Sequence, residues 1–133
     1  MRSLLLTALM LLSPLALGAE SAPTTHREAT EWLVELLVDT DACLASCTDE
    51  ASVQEALPRL RELAARAEQL KQAQSKLPEP TTQDYLAGQE LLGAFNAAWK
   101  AVRAHIDRLE RTQLMSPALR EVLRVAPADP KQP

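Results

Sequence analysis

The run Thr82–Leu114, TQDYLAGQELLGAFNAAWKAVRAHIDRLERTQL, decides the fold class. Tyr85, Leu92, Trp99 and Ile106 fall at one heptad position; Phe95, Val102 and Leu109 fall at the other. Apolar residues at that period line one face of a helix, whereas a half-buried strand needs strict alternation. At 1.5 Å per residue the predicted helix is about 50 Å long. Gly88 and Gly93 weaken its first half by about 1 kcal/mol each relative to alanine. Pro78 and Pro80 stop whatever precedes it, and Thr81 with Asp84 supplies the start signal.

Working upstream, Asp49–Leu77 is the next helical segment. Ser52 and Glu55 are its candidate caps, and Leu60, Leu63, Ala67, Leu70 and Leu77 follow a heptad that loosens at the polar Gln74. Pro58 lacks an N–H and crowds the preceding turn, so a kink, or a short helix feeding a longer one, is expected there. Before it, His26–Cys47 carries Trp32, Leu33, Leu36, Leu37, Cys43, Leu44 and Cys47 on one face, with Thr25 and Glu28 as a capping box. Downstream, Ser116-Pro117 restarts the chain as N-cap and first helical residue, with Leu119, Val122 and Leu123 inward. The end, APADPKQP (126–133), reads as a disordered proline-rich tail.

Short links favour antiparallel neighbours. The expected fold is therefore all-α: an up-down-up three-helix bundle over residues 26–125, with a long third helix and a short C-terminal one, preceded by a linker at 20–25. Trp32 and Trp99 should share a core layer opposite Ala64 and Ala67, large facing small. Glu31, Glu35, Asp39 and Asp41 should lie beside Lys100, Arg103, Arg108 and Arg111. The overhang of the third helix should leave Tyr85, Leu86 and Leu92 under-covered, a candidate partner or self-association surface.

The first nineteen residues, MRSLLLTALMLLSPLALGA, form a separate object. Arg2 precedes an apolar run, Leu4–Leu12, and small residues follow at Ala16, Gly18 and Ala19. This is a signal-peptide pattern with cleavage after Gly18 or Ala19. The run is shorter than the roughly 20 residues of a membrane span. Export to the periplasm or the exterior is expected, with no membrane insertion after cleavage. The chain has a formal net charge of −4, and loss of Arg2 with the leader adds one more negative charge. That balance argues against nucleic acid as partner.

The two cysteines lie in ACLASCTDEAS (42–52). On a regular helix, Cα atoms four residues apart are about 6 Å from each other, within disulfide range. Their Cβ vectors run nearly parallel, so closure needs the last turn to distort. A Cys43–Cys47 disulfide, two packed free thiols, a bridge between chains, and a soft-metal or redox pair all stay open. Neither a Cys-x-x-Cys pair nor a haem attachment pattern is present. His26 and His105 are the sole histidines, and His105 reads as a half-exposed helix residue. Asp39-Thr40-Asp41 lacks the further oxygens and the glycine of a calcium loop. No nucleophile elbow, phosphate loop or zinc-protease motif occurs, so no catalytic residue, cofactor or metal ligand is assigned.

The run DEASVQEALPRLRELAARAEQLK (Asp49–Lys71) resembles a segment of small, exported, uncharacterised bacterial proteins that carry a signal peptide and a long helical hairpin. The resemblance implies a helical hairpin and bacterial export, and it brings no activity with it. The expected function is a non-enzymatic interaction or accessory module whose partner is another protein or a second copy. The alternative is a periplasmic metal or redox handler using Cys43 and Cys47.

Overall fold

Each helix among the described residues starts on an oxygen-bearing side chain. A computed structural model describes residues 22–124. The expected leader and proline-rich tail lie outside the described residues. Within them the chain forms α1 (His26–Ala45), α2 (Glu50–Ser75), α3 (Thr82–Arg111) and α4 (Pro117–Leu123), with no strand. The N-caps are Thr25, Asp49, Thr81 and Ser116, and each side chain accepts a backbone N–H three residues on. Those N–H groups have no intrahelical partner, so the caps satisfy them. Asp49–Ser52 and Thr81–Asp84 close full capping boxes. At α1 the box is incomplete: the Glu28 carboxylate accepts from the Thr24 N–H, 2.8 Å away, instead of returning to Thr25. These hydrogen bonds hold the carboxyls of Glu28, Asp49 and Asp84 below their ordinary pKa, each chiefly through one backbone N–H.

Pro58 lies inside α2, which is one continuous helix and not a short helix feeding a longer one. Pro58 and Gln54, whose carbonyl loses its donor, are both exposed. An exposed turn leaves that carbonyl open to solvent, so the cost stays local. The end of α3 falls at Arg111, three residues before Leu114. There Gln113 takes a left-handed conformation (φ 60°), Leu114 N–H bonds the Leu109 carbonyl at 2.9 Å, and Gln113 N–H bonds Glu110. This is a Schellman turn with glutamine where glycine is usual.

Packing centres on α1, which contacts both α2 and α3. Leu36, Leu44, Leu60, Leu63, Val102 and Leu109 are buried in a single core. Leu119 brings α4 onto α2 and is fully buried. By contrast, no Cα of α2 lies within 8 Å of one in α3.

The expected tryptophan layer is not formed. Trp32 is half-buried, with the Arg66 guanidinium 5.0 Å above its ring and Pro23 and Leu77 beside the same cleft. Trp99 is exposed and lines a different cavity. With α2 and α3 held apart, no third wall covers the Trp99 ring. The expected pairing of acidic α1 with the basic end of α3 is also revised. Asp39 meets Arg59 of α2 (3.7 Å) and Asp41 meets His105 (3.0 Å). Arg108 turns instead to backbone carbonyls of α1.

Candidate functional site

Because α2 and α3 stand apart on either side of α1, a groove of about 350 Å³ opens between them. Leu33, Leu37 and Thr40 of α1 form its floor. Leu60, Ala64 and Ala67 form the α2 wall, and Trp99, Val102 and Ile106 form the α3 wall. Val122 and Leu123 of α4, with Arg124 just after it, close one end. The heptad that predicts α3 places Tyr85, Leu92, Trp99 and Ile106 along one side of the helix. In the structure this row leads out of the groove along α3: Ile106 is half-buried, while Trp99, Leu92 and Tyr85 are 44%, 51% and 65% exposed.

The three residues expected to form a partner surface separate into two groups. Tyr85 and Leu92 border one shallow depression with His26 and Thr30 of α1. Leu86 is exposed too, but one residue from Tyr85 and six from Leu92 it points to another side of the helix. Trp99 belongs to the exposed row and was placed in the core by its heptad position. The period reports which residues share a face. It does not report whether a third helix arrives to cover it.

Charged groups border the groove on the α2 and α4 sides. At the α4 end, Arg120 pairs with Glu110 of α3 at 2.8 Å, and Arg124 pairs with Glu68 of α2. Lys71 lies on the α2 wall, one turn beyond Glu68. Arg103 follows Trp99 by one turn on the α3 side. Both are exposed and neither makes an ion pair or hydrogen bond among the described residues.

Comparison with protein-family models, with curated proteins and with solved structures finds no match. What the chain can do therefore rests on its own groups.

The cysteines are free thiols, and the possible Cys43–Cys47 disulfide is not formed. The two sulfurs diverge. Cys43 Sγ faces the Ala56 carbonyl of α2 at 3.8 Å, whereas Cys47 Sγ lies over the Cys43 carbonyl at 3.5 Å. Cys47 is fully buried in the core cluster and Cys43 packs against it. Burial raises both thiol pKa values, with the Cys47 charge adding at Cys43 and the nearby Arg59 opposing. At Cys47 the Ser46 side chain and Arg108 oppose burial. Both are thus held as protonated apolar packers, poor as nucleophiles or soft-metal ligands. Among the described residues no group of three or more His, Cys, Asp or Glu side chains gathers to hold a metal.

Beside them sits a polar clasp. The Arg108 guanidinium donates to the Cys47 carbonyl at 2.8 Å and to the Leu44 carbonyl at 2.9 Å. It also approaches His105 Nδ1 at 3.2 Å. Arginine can only donate, so Nδ1 accepts and Nε2–H points to Asp41. The clasp ties the C-terminal end of α1 and the turn after it to α3, a structural task. No described helix is long and apolar enough to cross a membrane.

Proposed function

We propose that this chain is an exported, non-enzymatic interaction module: an up-down-up three-helix bundle, opened along its α2–α3 seam, that works by holding a partner in that opening. The observation that carries the reading is the gap between α2 and α3, with Trp99 exposed at its mouth. Closed bundles bury such residues, and an uncovered tryptophan beside leucine-lined space is a typical contact anchor. The cysteines support the same reading indirectly, because their packing assigns them to the core. Export rests on the leader pattern of residues 1–19.

Photo-crosslinking in the producing cell tests the proposal. A benzophenone side chain in place of Trp99 or Leu92 should give one discrete protein adduct. The same group in place of Glu35, on an exposed side of α1, should give none. Equal labelling from all three positions, or none from any, contradicts a groove that works by contact.

A further inference from the structure

We infer that the His105–Arg108 clasp is an acid-operated latch: a proton on His105 Nδ1 turns Arg108 away from the Leu44 carbonyl and loosens the C-terminal end of α1. The device stands apart from the groove and from the contact reading above.

The neutral clasp is fully bonded. His105 Nε2–H points to Asp41 of α1 at 3.0 Å, and Nδ1 accepts from Arg108 Nη2 at 3.2 Å. The same Nη2 donates to the Leu44 carbonyl at 2.9 Å, while Nη1 donates to the Cys47 carbonyl at 2.8 Å. One nitrogen with two protons thus serves two acceptors, so its hold on Leu44 is coupled to the state of the ring. The guanidinium cannot lose a proton in a protein. Histidine, by contrast, changes charge between about pH 5 and 8. The His105 side chain is 25% exposed, so a proton reaches it without unfolding.

Protonation rewrites these bonds. An imidazolium has two donors and no acceptor. Nδ1–H would then face an Arg108 N–H at hydrogen-bond distance, with two positive charges side by side. Asp41 gains a charged partner at Nε2 and holds the ring in place, so Arg108 is the group that moves. Nη2 leaves Nδ1 and takes its second proton away from Leu44. The groups facing the ring are Asp41 from α1 and Arg108 from α3, with the Cys47 thiol beyond the guanidinium kept protonated by burial. His26, at the start of α1, supplies the contrast. Its Nε2–H donates to the Pro78 carbonyl at 2.6 Å, a bond that neutral and protonated rings make alike.

NMR of the full chain from pH 8 to pH 5, observing ring nitrogens and backbone carbonyls, tests this. Before it titrates, the His105 ring should carry its proton on Nε2. As it titrates, the Leu44 carbonyl shift should move with the same midpoint. The Ser46 and Cys47 N–H groups bond the Cys43 and Leu44 carbonyls, and their protection from hydrogen exchange should fall about tenfold. His105→Gln keeps a donor for Asp41 but gains no charge, so its Leu44 carbonyl signal should stay flat. Asp41→Asn keeps the titrating ring, and the carbonyl should still follow it, because the Nδ1 proton is the cause. A neutral ring protonated on Nδ1, or a Leu44 carbonyl that stays fixed while the ring titrates, overturns the latch in the unmutated chain alone. An equal carbonyl response in His105→Gln overturns it as well.

Discussion

Arg108 shows how one side chain ties two helix ends together. From the last turns of α3 it donates to the Leu44 carbonyl, which also accepts from the Cys47 N–H, and to the Cys47 carbonyl just past α1. Hydrogen bonds from a charged donor are worth about 1.5–3 kcal/mol. Arg108→Leu should therefore lower unfolding free energy by about that amount in urea melts, and Arg108→Lys should recover only part of it. An ammonium is a point donor and cannot span both carbonyls as the planar guanidinium does. The cysteines give a second expectation, in pH. Burial raises both thiol pKa values in the folded chain, so above the ordinary thiol range, about 8.5, the unfolded chain releases these protons first. The thiols' contribution is fully present below that value and is lost as pH climbs toward their folded values. Urea midpoints should fall between neutral and alkaline pH, and Cys43→Ser/Cys47→Ser, although less stable, should show a smaller fall. Thiol titration of the native chain at neutral pH should find Cys47 unreactive until the chain unfolds, since it has no exposed surface.

At the scale of elements, the sequence was most legible where a helix start is written in side chains. Thr81 and Ser116 are caps that hydrogen-bond within three residues, so local sequence determines them; at α2 the cap is Asp49 and not the expected Ser52, which sits at the third helical position and closes the box. The α3 terminus was less legible because its stop is written in backbone geometry. Gln113 adopts the left-handed conformation without being glycine or asparagine, so no residue type announces the turn. That oddity yields a test. A left-handed conformation costs a residue with a Cβ about 1–2 kcal/mol relative to glycine. Gln113→Gly should raise unfolding free energy by about 1 kcal/mol, its own unfolded-state entropy offsetting part of the gain. The continuity of α2 through Pro58 has a related reason. The proline's cost depends on whether the orphaned Gln54 carbonyl meets water, which is decided by the outward orientation of that turn in the finished fold. The groove was half legible. Its apolar rows follow from the heptads, but the separation of α2 from α3 arises from where α1 and α4 contact them, and no period encodes that.

On the scale of the whole molecule, α2 and α3 communicate through intermediaries. α1 bridges them along their length, and α4, continuing from the end of α3, packs on α2. α4 is too short to be stable alone, so it stays in place through Leu119 and its two arginine pairs. Leu119 has no exposed surface, and truncating such a leucine costs about 2–5 kcal/mol through lost contacts and the cavity left behind. For a domain of about a hundred residues whose total stability is of order 5–15 kcal/mol, that is a large share. The loss should also be uneven. Leu119→Ala removes the α4 tether, while Leu36, Leu44 and Leu109 still join α1 to its neighbours. Native-state hydrogen exchange should then show α4 and the first half of α2 losing protection first, with the α1–α3 pairing following at higher free energy. Acrylamide should quench Trp99 more readily in this variant, because Val122 and Leu123 leave the groove end with α4. If protection instead falls uniformly over all four helices, α4 is an integral part of one cooperative unit, and the groove is as rigid as the core beneath it.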